Sequence, residues 1–225
     1  MTFSLVARCH KTGMFGVVIS SSSPAVAARC ARVRAGVGAV ASQNVTNPAL
    51  GPAVLDWLER GVGAEDAVRQ AAAADSHPDY RQVLAVDRLG CVAVHSGERA
   101  LGLWGSATGQ DCAAAGNLLA NTTVPAAMVA GFERAAGDFG SRLIAALRAG
   151  RDAGGEAGPV RSAGLLIAHR EAWPWADLRC DWIEDACPIE AVARAWAVYA
   201  PQADAYVQRA RDPREAPSYG VPGDP

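Results

Sequence analysis

The 225-residue sequence has no run of about 18 apolar residues, so no membrane-spanning helix is expected. Its net charge is only −2, and lysine is scarce. Arginine heavily outnumbers lysine, but the arginines are scattered. A surface for nucleic acid or anionic lipid needs clustered basic residues, so neither partner is expected. There is no C-x-x-C pair. Cys9, Cys30, Cys91, Cys112, Cys180 and Cys187 are spread along the chain, which argues against zinc-ligand spacing and against a disulfide framework. They read as reduced, mostly buried small residues of a cytoplasmic protein. No G-x-x-x-x-G-K-[ST] loop is present, and Gly36 and Gly38 fall inside an expected strand rather than before a helix. Phosphate-loop and dinucleotide fingerprints therefore both fail. No cofactor and no metal are expected. Arg8, His10 and Lys11 interrupt any apolar leader, so the start does not read as a signal peptide. No internal repeat is found.

What is present suits one globular domain. The chain is 50% hydrophobic and 20% charged, enough for a sizeable core. Residues 1–210 read as that domain and 211–225 as a Pro-rich tail left without structure. Strands are expected from Met1 to Arg8 and Met14 to Ser20, joined by a turn with Gly13, and from Ala35 to Gln43. A helix pair follows, about Pro48 to Arg60 with Asn47 as its cap, and Ala64 to Ala74. Arg81 to Asp87 and Cys91 to His95 make a second hairpin, and Cys112 to Leu119 another buried strand. Two helices, about Pro125 to Ala136 and Phe139 to Ala149, precede a flexible Gly-rich loop, Arg151 to Pro159. Strands at Ser162 to His169 and Leu178 to Ile183 and a helix from Pro188 to about Arg209 complete the order. Strands clustered in hairpins and separated by helix pairs exclude a doubly wound parallel sheet. They fit an α+β protein with layered antiparallel sheets and helices outside.

The first strand carries the most chemistry. Phe3, Leu5 and Ala7 alternate with Thr2, Ser4 and Val6. If Met1 is removed, Thr2 holds a hydroxyl and a free α-amine whose unperturbed pKa is about 7.7–8.0. Nucleophile and base then share one residue. The structural alternative is an ordinary edge strand that keeps its methionine.

Three blocks, Thr2 to Arg8, Arg34 to Gln43 and Asn47 to Pro52, resemble the opening motifs of the DUF1028 family. Val94 to Gly97, Gly116 to Leu119, Arg161 to Leu166 and Asp177 to Arg179, with Asp181 and Pro188, extend the resemblance over about residues 2–200. It implies a four-layer αββα sandwich like that of the N-terminal nucleophile (Ntn) hydrolases, with two antiparallel sheets between helix layers. Those enzymes cleave mostly non-peptide C–N bonds, so a small amide or ureido substrate is implied.

Thr2 is the candidate nucleophile. Asn117 and Asn44 are candidate oxyanion donors, with strand-edge and loop-capping roles as their alternatives. Ser4 could orient the amine or be a strand serine. One serine of the run Ser20 to Ser23 could bond Thr2, with Ser22 a candidate substrate contact, or the run could be a polar turn before Pro24. The pocket is expected where the first strand, the serine run and the Gln43–Asn44 corner converge. His95 could bind substrate or serve the strand end. Arg34 and Arg161 could hold a substrate carboxylate or lie on the surface. Two other functions stay open: a non-catalytic binding or assembly protein on the same fold, and a serine hydrolase using Ser22 or Ser23 with His95. The latter lacks a G-x-S-x-G elbow. A homo-oligomer is possible for a domain of this size.

Overall fold

A strand apolar on one face and mixed on the other finds its place between neighbours on both sides. The computed structural model describes residues 1–222, and the last three residues of the Pro-rich tail lie outside the described residues. In it the strands are β1 (Thr2–Arg8), β2 (Phe15–Ser21), β3 (Ala31–Arg34), β4 (Gly38–Asn44), β5 (Arg81–Asp87), β6 (Val92–Ser96), β7 (Gly105–Gly109), β8 (Cys112–Asn117), β9 (Ser162–Ala168) and β10 (Ala176–Cys180). The helices are α1 (Val26–Cys30), α2 (Leu50–Glu59), α3 (Ala64–Ala74), α4 (Val124–Arg134), α5 (Phe139–Asp152), α6 (Pro188–Tyr199) and α7 (Ala203–Arg211). One sheet has six strands in the order β10-β9-β2-β1-β8-β7, the other four in the order β3-β4-β5-β6. Every pairing is antiparallel.

The alternation of β1 divides the core. Phe3, Leu5 and Ala7 enter an apolar cluster with Met128 and Phe132 of α4, Leu143 and Leu147 of α5, and Ile189 and Trp196 of α6. Val6 faces the other way, into a cluster with Val17, Ala39, Ala41, Leu84, Val86, Ala113 and Ala115. That second cluster is the seam between the two sheets, and its many alanines let them approach closely. Beyond the four-stranded sheet, Val40, Val83 and Ala85 pack on Leu50, Val54, Leu55 and Leu58 of α2 and on Ala67, Val68 and Ala71 of α3. The layers therefore run helix, sheet, sheet, helix, the α+β sandwich the sequence led us to expect. No helix among the described residues is long and apolar enough to cross a membrane.

Several boundaries differ from the sequence reading, each for a local reason. The stretch read as one strand from Ala35 is a hairpin: β3 precedes it and Gly36, at φ 71°, makes the turn into β4. Gly105–Gly109 pairs with β8 although its Gly-Ser-Ala-Thr composition carries no apolar period. The last strand begins earlier, at Ala176, where it pairs with Ile167. Pro201 breaks the last long helix into α6, a short 3₁₀ turn at Ala200–Gln202, and α7. The loop after α5 is tied down: Glu156 is buried and bridges Leu119, and Gly154 and Gly155 make the turn with positive φ.

Phe3 is fully buried, and a Cβ built on Gly150 of α5 would stand 3.2 Å from its ring. Phe3→Ala is expected to cost about 3–5 kcal/mol, because the rigid helix above cannot collapse into the space. Urea unfolding of the two proteins measures this, and a loss below about 1 kcal/mol would contradict the packing.

Candidate active site

Thr2 opens β1 and is 6% exposed. It pairs with Asn117 of β8 on one side. On the other, β1–β2 pairing places Phe3 opposite Ser20, so Ser21 flanks Thr2. The Thr2 and Ser21 hydroxyls both hydrogen-bond the Met1 carbonyl and lie 3.3 Å from each other. The Ser23 N–H donates to Ser21 Oγ at 3.0 Å, which fixes that hydroxyl's aim.

The serine run is held by two partners. Ser20 Oγ donates to the Ser162 carbonyl at 3.0 Å, and Ser162 Oγ donates to the Ser23 carbonyl at 2.6 Å. From the loop after α5, both carboxylate oxygens of Glu156 accept the Ser22 N–H, at 3.1 and 3.0 Å. Glu156 is 5% exposed. Burial pushes its carboxyl up to about 7, against the downward pull of the Met1 ammonium and the Ser22 N–H.

Behind Thr2 a row of buried polar side chains crosses the seam. Ser4 Oγ donates to Gln43 Oε1 at 2.6 Å. Gln43 Nε2 donates to Gln82 Oε1 at 2.8 Å and to the Ala115 carbonyl at 3.2 Å. Gln82 Nε2 donates to Ser96 Oγ at 3.0 Å and to the Gly116 carbonyl at 3.2 Å. Asn117 Nδ2 donates to Gln82 Oε1 at 3.2 Å. Register explains the row, since Gln43 lies opposite Gln82 and Gln82 opposite Ser96.

The structure thus brings together Thr2, Ser4, Gln43 and Asn117 of the residues singled out from sequence. In the serine run it is the Ser21 hydroxyl that reaches Thr2, while Ser22 contributes its N–H to Glu156. Other candidates lie elsewhere. Asn44, at φ 74°, fastens a corner: its Nδ2 donates to the Tyr80 carbonyl at 2.6 Å and its Oδ1 accepts the Leu101 N–H at 3.2 Å. His95 is one residue before Ser96, so it faces the helix side of β6, and its Nε2 lies 3.1 Å from the Pro78 carbonyl. That position also separates it from Ser22 and Ser23. Arg34 pairs with Asp56 and Glu59 of α2 on the surface. Arg161 donates its N–H to the Ser21 carbonyl at 2.8 Å, but its side chain turns to the Glu184 carbonyl at 2.5 Å. Sequence reasoning missed Gln82 and Glu156. Gln82 was findable as the inward polar position of an otherwise apolar strand. Glu156 was an acid between glycines with no periodic signal.

An open cleft of about 950 Å³ lies at the other end of β1. Arg8 there is paired with Asp111 at 2.9 Å, and Arg142 stacks on Phe132. It has no connection to the Thr2 cluster.

The fold and this cluster define a four-layer αββα protein whose buried polar site sits at the head of a central strand. The chain belongs to the DUF1028 family, described as a family of unknown function, whose model matches residues 2–192. It is similar to the crystal structure of SPO2555 from Silicibacter pomeroyi, of the same family, at 32% identity and a TM-score of 0.83, covering 88% of this chain and 86% of that one. Anbu (ancestral beta-subunit) from Yersinia bercovieri aligns at 12% identity and a TM-score of 0.39, over 91% and 97% of the two chains. An Anbu (Gly-1) mutant from Hyphomicrobium sp. strain MC1 aligns at 12% and 0.41, over 92% and 100%. Likenesses that distant decide neither fold nor chemistry. No curated protein matches the chain.

Two outcomes follow from this geometry. Gln82→Ala strips partners from Gln43 and Asn117, and about 1–3 kcal/mol of stability should be lost for each buried group left unsatisfied. Denaturant titration measures it, and a neutral effect would remove the row from the forces joining the sheets. Glu156 holds its proton more tightly when folded, about 7 against the ordinary 4.5. Stability should therefore fall as pH rises through that interval, by on the order of 3 kcal/mol. Glu156→Gln should flatten the melting temperature against pH there, and an unchanged slope would assign the pH dependence to other groups.

Proposed function

We propose that this protein is an Ntn-type amidohydrolase whose nucleophile is Thr2 once Met1 has been removed, acting on the C–N bond of a small amide or ureido compound. The observation that carries the reading is a carbonyl oxygen, that of Met1, held jointly by the hydroxyls of Thr2 and Ser21 inside the fold. An amide carbonyl entering the same place meets a nucleophile and a hydrogen-bond donor together.

The chemistry needs few other parts. The freed Thr2 amine takes the proton from Oγ as Oγ bonds the carbonyl carbon. The developing oxyanion accepts the Ser21 O–H, which the Ser23 N–H holds in position. The C–N bond breaks as the amine returns the proton to the leaving nitrogen. Water then hydrolyses the Thr2 ester. Asn117 stands beside Thr2 as a second donor with one N–H already given to Gln82, so it both positions the strand pair and can lend its remaining N–H. The alternative, a non-catalytic binding or assembly protein, gains if Met1 stays, because its carbonyl then occupies both hydroxyls permanently.

Intact-mass measurement should find the chain beginning at Thr2. Against a panel of small amides and ureido compounds, Thr2→Ala should lose turnover by at least about a thousandfold, while Thr2→Ser keeps a measurable share. Full retention of Met1, or undiminished turnover by Thr2→Ala, would overturn the reading.

A further inference from the structure

Met1 is itself informative, because its place around Thr2 is that of an acyl group. Its acyl carbon is bonded to the Thr2 nitrogen, and its oxygen lies against Thr2 Oγ. An acyl group on Oγ differs from one on nitrogen by a shift across a five-membered ring of Oγ, Cβ, Cα, N and the carbonyl carbon. The methionyl group therefore occupies nearly the volume that the acyl half of a Thr2 ester would fill. What surrounds it describes the acyl half that the site accepts.

Three features surround Met1. Its carbonyl accepts from Ser21 Oγ as well as from Thr2. Its side chain runs over Gly158: a Cβ built on that glycine would stand 3.3 Å from Met1 Cε and 3.8 Å from Sδ. Its ammonium lies within the electrostatic reach of Glu156, a carboxyl 5% exposed that takes its hydrogen bonds from Ser22. A buried carboxylate served by one residue has lone pairs to spare for a cation. Ser21 thus meets the carbonyl and Gly158 the side chain of one amino-acyl residue, and the buried acid two residues before Gly158 is fastened to the residue next to Ser21.

We infer that the space vacated by Met1 is an acyl subsite for α-aminoacyl amides, with Glu156 receiving the substrate's free α-ammonium and Gly158 leaving room for an unbranched apolar side chain. This rests on the Thr2 reading and narrows the amides it admits. The bond changes are those given above: the Thr2 Oγ–acyl bond forms, the amide C–N bond breaks, and the leaving amine carries away the Oγ proton. The substrate's own ammonium is unchanged throughout. Water then releases a free amino acid.

The test uses the processed full-length chain with two p-nitrophenyl esters, of methionine and of N-acetylmethionine, at about pH 8. Acylation of Thr2 is followed by intact mass and p-nitrophenolate release. The free-amine ester should react about 10- to 100-fold faster, the range of a charge-assisted contact. Glu156→Gln should bring the two rates together. Gly158→Val should slow the methionyl ester relative to a glycyl p-nitrophenyl ester while keeping the preference for a free amine. Equal rates for the two esters in the parent protein would overturn this inference and leave Thr2 as the nucleophile. Absence of any Thr2 adduct with either ester would overturn both.

Discussion

The position of residue 2 follows from the two-sided pairing of β1. A strand bonded to β2 and β8 at once, with both faces buried, cannot slide. Slipping by one residue would turn Phe3 and Leu5 out of the helix-facing cluster and drive Thr2, Ser4 and Val6 into it. That exchange would bury two hydroxyls among apolar side chains and set a phenyl ring against the glutamine row. The same register that satisfies the core places a hydroxyl at the strand head, facing the second sheet. The site is in this sense a consequence of packing.

The seam between the sheets changes character along its length. In its middle, alanines and branched aliphatic residues meet without polar groups. At the Thr2 end, Ser4, Gln43, Gln82, Ser96 and Asn117 replace them, and the two glutamines reach across to backbone carbonyls of β8. Carbonyls inside a ladder have a second lone pair, so these cross-sheet bonds take nothing from the sheet itself. Each amide would be costly if left alone, and together they hold the ends of the sheets at a fixed separation. A rigid floor of this kind keeps Thr2 and Ser21 in a constant relation, which a loop could not do.

Legibility in the sequence followed the range of the interactions. β1, β2 and the helix pairs were readable because their apolar periods are local. Thr2, Ser4, Gln43 and Asn117 could be brought together because strand ends near small residues tend to line pockets. β7 was invisible, since Gly-Ser-Ala-Thr has no period and pairs only because β8 offers an edge. His95 was drawn in by its motif and excluded by parity, one residue out of phase with Ser96. Arg34 was drawn in by its place before a strand, and the acids of α2, which follow it in sequence by 22 and 25 residues, claim its guanidinium. Glu156 was unreadable for a different reason: its burial depends on a loop between α5 and β9 folding back over the serine run.

On the proposed reading, the state of the first peptide bond governs several properties at once. While Met1 is attached, the Thr2 nitrogen is an amide and has no basicity, so the hydroxyl lacks its base. The Ser21 hydroxyl is spent on the Met1 carbonyl, and the space beside Glu156 and Gly158 is filled. Hydrolysis of that one bond would supply the base, release the donor and open the subsite together, without moving a strand. No rearrangement of the fold is needed, because every group involved is already anchored by β1, β2 or the loop that carries Glu156. A site assembled in this way has two states that differ by one residue and share one architecture. On the proposed reading, activity tracks the fraction of chains beginning at Thr2.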